Sequence, residues 1–392
     1  MAQNQALTLL GGLMPSEFLA EYWQKKPLLI KKAIPDFNGL LSPEDLAGLS
    51  CEEEVQSRIA QFKNKKWVLK NGPFDEKDFS RLPDKDWTLL VQSVNHYLPE
   101  AADLLNRFSF IPHARLDDLM VSYAPDGGGI GAHVDSYDVF LLQGSGRRNW
   151  KISHQPDLTL IDDAPLKILK HFEPEQEWTL EAGDMLYLPP QIAHWGTAVG
   201  ENCMTYSIGF RAPKQQELMH EFLGYLQDDL SLENTQNFNL DSHYVDPDLQ
   251  LQNHPAEISS AMINQVNTML QKIIWDKKHV ADFLGKYLTE PKPDVFFEPA
   301  DSLSKKQFIT RLKQRTLRLD LKSQLLFAND VFYINGEKWL VENGLIEVIK
   351  DFADNHYLDK SKLDKNGFTE TQYDLLADTF FEQYMAGFIY FE

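Results

Sequence analysis

The sequence is poor in cysteine and in long apolar runs. Its 392 residues include two cysteines, Cys51 and Cys203, which are far apart and do not form a CxxC pair. They predict neither a disulfide framework nor a zinc–thiolate site, and they fit a reducing compartment. A membrane-spanning helix needs about eighteen consecutive apolar residues. The sequence has no such run, so we expect no membrane-spanning segment.

Positive charge is also scarce. The chain has 38 Lys and Arg against 58 Asp and Glu, a formal net charge of −20. Direct binding of nucleic acid or of an anionic membrane needs a local basic excess. The acidic balance disfavours both partners and favours encounter with a basic one. The N-terminal stretch MAQNQALTLLGGLMPSEF has no basic segment ahead of an apolar one, so we expect no secretory signal and a cytoplasmic protein.

Residues 116–213 are β-rich. Short runs of β-forming residues alternate there with Gly, Pro and Asp: LMVSYAP, YDVFLLQ, RNWKIS, EWTLEAGDMLYLPP and MTYSIGF. Many short strands with such punctuation are typical of an all-β sandwich or barrel. Nearer the start, PSEFLAEYWQKKPLLIKKA predicts a capped short helix and then a strand after Pro27.

A helical pattern returns after Pro213. KQQELMHEFLGYLQDDL, AEISSAMINQVNTMLQKII and HVADFLGKYL read as helices. Their apolar faces are broader than one layer on the β-domain needs, which predicts a homodimer through them. Further on, a helix precedes a hairpin turned at Asn335-Gly336, a pattern that suggests a winged-helix-like module. Because residues 301–392 hold 15 acidic and 12 basic residues, this module shows no basic footprint for nucleic acid. The β-rich part, the helical part and this module together predict three domains: 1–213, 214–292 and 293–392.

Three residues have the spacing of a metal site. GGGIGAHVDSYDVFLLQGSGRRNWKI, residues 127–152, places His133 and Asp135 two apart in a β-rich run. Residues two apart on a strand point to the same side, so both side chains can reach one ion. His194, after the rigid Pro-Pro pair in GDMLYLPPQIAHWGTA, is the candidate third ligand. Two histidines and one carboxylate leave one face of an ion open, as in non-haem Fe(II) oxygenases. The alternative is that His133 is a hydrogen-bonded core residue and Asp135 a turn residue.

The Gly-Ser-Gly segment at residues 144–146 is predicted to be a turn. Arg148, just after it, is predicted to point inward. It shares strand parity with Trp150 and Ile152, which resemble core residues. A buried guanidinium needs an anion. A small dicarboxylate such as 2-oxoglutarate supplies one, because its oxo-acid end can chelate iron while its far carboxylate pairs with the guanidinium. Pairing of Arg148 with a carboxylate of the protein itself is an open alternative.

Three segments together resemble the JmjC-type 2-oxoglutarate oxygenases, and above all the bacterial ribosomal-protein arginine hydroxylases: HVDSYDVFLLQGSGRRNWKI, GDMLYLPPQIAHWGTA and YSIGFRAP. The resemblance covers essentially the whole chain. It implies an α+β protein with a double-stranded β-helix (jelly-roll, cupin-like) core, a helical dimerisation region and a C-terminal winged-helix-like module. It also implies Fe(II), 2-oxoglutarate and O₂, and a homodimer.

The resemblance implies roles for individual residues as well. His133, Asp135 and His194 would be the iron ligands. Arg148, with Ser122, would hold the far carboxylate of 2-oxoglutarate. The implied substrate is an arginine of the sixteenth protein of the large ribosomal subunit, hydroxylated at its β-carbon.

Strand parity adds candidates for the substrate pocket. Asp118 and Met120 share parity with Ser122, and they offer the carboxylate and the apolar wall that an arginine side chain needs. The open alternative is a turn carboxylate and a core methionine. Two further candidates are Tyr137, which shares parity with His133 and Asp135, and Ser207 on the last core strand.

Two other functions use a similar framework. A demethylase of N-methylated lysine or arginine has the same metal centre, but it needs a pocket for a methylated cation that the sequence does not display. A metal-free jelly-roll binding protein would keep the fold without the chemistry.

Overall fold

A computed structural model describes residues 4–231, 243–365 and 367–392. The described residues form two compact units. One contains the residues up to Ala212 with Pro291–Ser323 and Phe381–Glu392. The other contains the described parts of Pro213–Glu290 and Gln324–Phe380. The division of the sequence into three domains stays a prediction.

The first part of the chain alternates short helices and strands. Ser42 caps α2 by accepting a hydrogen bond from Asp45 N, and Pro43 occupies the first helical turn, where its missing N–H costs nothing. The predicted helix and strand on either side of Pro27 are present as α1 and β1. The elements are α1 (Pro15–Glu21), β1 (Leu28–Ile30), α2 (Pro43–Leu49), β2 (Ser57–Lys63), β3 (Lys66–Asn71), α3 (Glu76–Ser80), β4 (Trp87–Val91) and α4 (Pro99–Asn106).

The β-rich segment predicted at residues 116–213 is confirmed. Its strands are β5 (Leu116–Ala124), β6 (Val139–Ser153), β7 (Gln176–Glu181), β8 (Met185–Leu188) and β9 (Ala193–Phe210). Within the described residues, nine strands join in one sheet of order β1-β8-β6-β9-β5-β4-β2-β3, with β7 paired to β6. The early strands β2 and β4 therefore extend the same sheet as the later ones.

The Gly-Ser-Gly segment at residues 144–146 is not a turn between two strands, contrary to the prediction. It is an irregularity inside β6, where the register with β9 shifts on both sides of Ser145. Gly146 has φ = +60°, and a Cβ there would lie 2.7 Å from the carbonyl oxygen of Asn202. Only glycine suits this position. The bulge lets two long strands stay paired while they change direction.

The rest of the chain is helical with short strands. The predicted helices after Pro213 are confirmed as α5 (Gln215–Ser231), α6 (Ser260–Leu270) and α7 (Lys277–Thr289). The predicted hairpin is also present, and Asn335 and Gly336 both have positive φ, 48° and 86°, as its tight turn requires. The other elements are α8 (Lys305–Leu312), β10 (Leu317–Leu319), β11 (Leu325–Ala328), β12 (Val331–Ile334), β13 (Glu337–Trp339), α9 (Ile346–Asn355), β14 (Tyr357–Leu358), α10 (Lys360–Lys365), α11 (Glu370–Met385) and β15 (Ile389–Phe391).

A buried carboxylate connects the start of the chain to the β-domain. Asp138, immediately before β6, is fully buried. It accepts hydrogen bonds from the Tyr187 hydroxyl at 2.6 Å and from Gln24 Nε2 at 2.9 Å, and Arg115 Nη2 lies 3.7 Å away. A buried charge needs such partners. In the part of the chain that the structure describes, no helix has the length and apolarity to cross a membrane.

Candidate metal centre and co-substrate pocket

Two histidines face each other across a pair of backbone hydrogen bonds. The amide of His133 donates to the carbonyl of His194 at 3.0 Å, and the reverse bond is 2.9 Å. Each Nδ1 lies beside a carbonyl oxygen, that of Gly131 at 3.0 Å and that of Ile192 at 2.9 Å. A carbonyl oxygen only accepts, so each Nδ1 carries the proton. In the neutral form of either ring this leaves Nε2 with a free lone pair, the arrangement of metal-binding histidines.

His133 and Asp135 do not lie on a regular strand, which corrects the prediction. His133 forms an isolated bridge with His194, and the backbone from residue 134 to 138 is irregular. The Asp135 carbonyl accepts a hydrogen bond from Gln191 N at 2.8 Å, which holds this loop beside the segment that leads into β9. Loop contacts, rather than strand parity, bring the residues together.

The charges and lone pairs of the three side chains favour binding of a cation. Burial, together with nearby His133, lowers the pKa of His194 to about 4, so its ring is neutral at pH 7. His194 Nε2 lies 3.6 Å from Asp135 Oδ2, so the lone pair of the neutral ring faces a carboxylate oxygen. The ligand atoms of His133, Asp135 and His194 all lie within 4.8 Å of one another. Three lone-pair donors that converge in this way fit an Fe(II) ion.

All nine predicted site residues line one cavity of about 320 Å³. The metal candidates and Arg148 lie there with residues of β5 and β9. On the shared wall of these strands, Met120 is opposite Ser207 and Ser122 is opposite Thr205. The nine residues are His133, Asp135, His194, Ser122, Arg148, Asp118, Met120, Tyr137 and Ser207. The roles predicted for them stay predictions.

Arg148 points inward, as its parity predicted, and is 5% exposed. Its Nε and Nη2 are buried without a hydrogen-bond partner. Among the described residues, no carboxylate oxygen lies within 4.0 Å of its guanidinium, so the structure offers no protein partner for the alternative reading. An unpaired buried guanidinium beside a donor set for iron fits the far carboxylate of 2-oxoglutarate.

Trp150 forms the wall between Arg148 and the metal candidates. Its ring centroid lies 5.9 Å from that of His194, and the Arg148 guanidinium carbon lies 5.7 Å from the Trp150 ring. The ring packs directly on Gly196, where a Cβ would lie 2.6 Å from it. A side chain at Gly196 would therefore displace the indole.

The substrate candidates differ in their surroundings. Asp118 is buried and accepts hydrogen bonds from Ser93 N at 3.0 Å and from Ser93 Oγ at 3.1 Å. Burial raises the pKa of Asp118, and nearby Asp117 raises it further. Burial also raises the pKa of Tyr137, with a contribution from Asp135. The cavity therefore places a carboxylate, an apolar surface and two hydroxyl groups near the metal candidates.

Two residues that line the cavity were not predicted. Arg58 on β2 and Thr88 on β4 both line the cavity, and each has a buried polar atom without a partner. An arginine that alternates with apolar residues in SRIAQF was a usable signal for an inward charge. Both residues reach the cavity because β2 pairs with β4 and β4 pairs with β5. These are long-range contacts that no local pattern reports.

Comparisons with known proteins agree with this geometry. A JmjC domain model matches residues 103–218, and a ROXA-like winged helix model matches residues 272–382. The ribosomal protein uL16 3-hydroxylase of Escherichia coli is 35% identical over 82% of this chain and 84% of its own length. A probable ribosomal oxygenase of Haemophilus influenzae is 32% identical over 94% of this chain and 93% of its own length.

A solved structure supports the fold. E. coli YcfD, a ribosomal oxygenase in complex with cobalt and 2-oxoglutarate, matches with a TM-score of 0.78 at 32% identity, over 96% of this chain and 98% of that one. The predicted cupin-like core with a winged-helix module is thereby confirmed, and the metal-free binding protein is excluded as an alternative. The chain belongs to the ribosomal oxygenase family of JmjC-domain 2-oxoglutarate oxygenases.

Proposed function

We propose that the chain hydroxylates the β-carbon of an arginine in ribosomal protein uL16. The observation that carries the proposal is the unpaired Arg148 guanidinium in the same cavity as the converging His133, Asp135 and His194. The substrate is taken from the E. coli relative, whose name specifies position 3 of a uL16 residue, which is the β-carbon. That the residue is an arginine follows from the resemblance.

At the co-substrate end, different side chains would bind the metal and the far carboxylate. His133, Asp135 and His194 would hold Fe(II), which when bound with 2-oxoglutarate supplies oxidation of a C–H bond by O₂. Arg148 would bind the far carboxylate of 2-oxoglutarate, and Ser122 would donate a hydrogen bond from its hydroxyl group. The Ser122 hydroxyl has only a long contact, 3.5 Å, to the Thr205 carbonyl, so it is available. Val139, Leu141 and Trp150 add apolar surface to the lining of the same cavity.

The substrate end fits a cationic side chain. Asp118 offers a buried carboxylate for the target guanidinium, and Met120 offers an apolar surface for its methylene groups. Tyr137 and Ser207 supply hydroxyl groups nearby. A net charge of −20 attracts a basic ribosomal protein at long range.

We further propose that the protein acts in the cytoplasm as a homodimer. Helix α6 presents an apolar stripe to solvent: Met262, Ile263, Val266, Met269 and Leu270 are between 36% and 59% exposed. No residue of α6 is buried. A stripe of this kind on a described helix is typical of an interface with another copy.

Loss of any of the three metal candidates is expected to abolish iron binding. His133→Ala, Asp135→Ala and His194→Ala should each leave the fold nearly intact, because an open-faced site contributes modestly to stability. Elemental analysis of purified protein measures the loss of iron, and succinate release measures the resulting loss of 2-oxoglutarate turnover. His171→Ala, at an exposed histidine, is the matched control. Full activity in any of the three variants would remove that residue from the site.

Arg148→Ala is expected to weaken 2-oxoglutarate binding by two orders of magnitude or more. It leaves the far carboxylate buried without a cation, a cost of roughly 3–5 kcal/mol. Iron content should not change, and Arg148→Lys should recover part of the affinity. Titration of 2-oxoglutarate gives the affinities, with Arg147→Ala, at the exposed neighbour, as control. A lower melting temperature with unchanged affinity would instead indicate a structural role.

The proposed reaction is tested on uL16 itself. Incubation of unmodified uL16 with the enzyme, Fe(II) and 2-oxoglutarate should add one oxygen atom to uL16, located by tandem mass spectrometry at the β-carbon of an arginine. The same mixture without 2-oxoglutarate should leave the mass unchanged. Loss of a methyl group from a methylated peptide, with no gain of oxygen on uL16, would favour the demethylase alternative.

The dimer is tested by charge insertion into α6. Wild-type protein should have the mass of two chains in light scattering at micromolar concentration. Ile263→Glu and Val266→Glu should shift it to one chain, because a carboxylate in an apolar interface is costly to desolvate. Asn264→Glu lies on the polar side of α6 and should remain a dimer. A single-chain mass for the wild type contradicts the proposal.

A further inference from the structure

Buried polar atoms without a partner are concentrated in one place. In the described part of the chain they are Arg58 Nε, Thr88 Oγ1, Trp150 Nε1, Arg148 Nε and Arg148 Nη2. All four residues line the cavity. Native proteins pair nearly all of their buried polar atoms, so this set indicates bound groups that are rich in acceptors. Arg148 matches the far carboxylate of 2-oxoglutarate, whereas Arg58 has no assigned partner.

Arg58 lies apart from the far-carboxylate residues. On the sheet it is opposite Leu90, which is opposite Ser122. Neighbouring strands are about 4.8 Å apart, so the backbones of Arg58 and Ser122 are separated by roughly 10 Å. Arg58 is partly exposed, whereas Arg148 is buried. Arg58 therefore serves the more solvent-facing part of the cavity.

When iron, 2-oxoglutarate and the target arginine are bound, no negative charge remains to pair with Arg58. Fe(II) and Arg148 carry three positive charges, and 2-oxoglutarate and Asp135 carry three negative ones. The target arginine and Asp118 cancel each other. Asp117 is already paired with Lys292 at 3.1 Å. Among the described residues, no carboxylate oxygen lies within 4.0 Å of the Arg58 guanidinium. A neutral acceptor, such as a carbonyl oxygen, is the group that Arg58 lacks.

Hydroxylation at a β-carbon brings such an acceptor into the cavity. The β-carbon is one bond from the main chain, so the main chain of the target residue must approach the metal candidates closely. Its carbonyl groups lose water there and need donors. We propose that Arg58 binds a main-chain carbonyl oxygen of the bound uL16 segment and thereby sets which carbon of the target side chain faces the metal. The inference rests on the proposed function.

The experiment compares Arg58→Met with the wild type in three measurements. They are the Kd of uL16 for the enzyme loaded with Co(II) and 2-oxoglutarate, the Kd of 2-oxoglutarate, and the position of the added oxygen. Loss of a hydrogen bond from a charged donor should weaken uL16 binding by roughly 10- to 100-fold. The affinity for 2-oxoglutarate should stay within about two-fold of the wild type, since Arg148 is intact.

The position of the oxygen separates this role from a structural one. With Arg58→Met, oxygen should appear at carbons other than the β-carbon, or succinate should form without hydroxylated uL16. Arg58→Gln keeps a shorter donor and should be intermediate. It also serves as the test variant if Arg58→Met does not fold. Lys167→Met removes an exposed cation that also lines the cavity, and it should keep wild-type regiospecificity.

Each other outcome is decisive. Weaker 2-oxoglutarate binding in Arg58→Met would place Arg58 at the co-substrate and overturn the inference, as would unchanged uL16 affinity and an unchanged oxygen position. An equal effect of Lys167→Met would show that only the total charge matters. If the wild type does not hydroxylate uL16, the proposed function fails and the inference fails with it. If the wild type hydroxylates uL16 and Arg58→Met behaves as the wild type does, the inference is overturned and the proposed function still stands.

Discussion

The site depends on the pairing of β6 with β9. One part of β6, from Val139 to Ser145, pairs with the end of β9, and the part from Arg147 to Ser153 pairs with its beginning. The bulge at Ser145 separates the two parts and lets both strands change direction without losing their partner. His194 lies at the start of β9, and Arg148 lies on the neighbouring strand with its side chain inward. A register slip of one residue would turn Arg148 to the outside and remove the cation from the cavity.

The cavity and the protein surface have opposite electrostatic preferences. Inside, unpaired Arg and Trp nitrogens and the Thr88 hydroxyl select acceptors, which suits a dicarboxylate. Outside, a formal charge of −20 selects cations. One molecule can therefore attract a basic protein over long distances and still bind a small dianion within it. Burial keeps His194 neutral, so protons do not compete with a cation for its Nε2 near pH 7.

Much of the site could be predicted from the sequence because its residues follow local rules. The inward direction of Arg148 followed from strand parity, and the hairpin at Asn335-Gly336 followed from turn chemistry. The strand expected around His133 was wrong because a loop held by tertiary contacts replaces it, and periodicity does not report such contacts. The bulge at Ser145 looked like a turn because both use glycine. Arg58 was missed because its place at the cavity depends on the order of strands in the sheet, which a single sequence does not reveal.

The contacts of the buried Asp138 limit where this enzyme can be cut into fragments that keep their structure. The JmjC match begins at residue 103, but Gln24, one of the donors to Asp138, lies far upstream. The same holds for β2 and β4, which are part of the same sheet. A fragment cut to the match would keep the three metal candidates and lose both a partner of the buried carboxylate and part of the cavity wall. The unit that recombination or protein engineering can move intact is therefore longer than the recognisable domain, and it begins near the start of the chain.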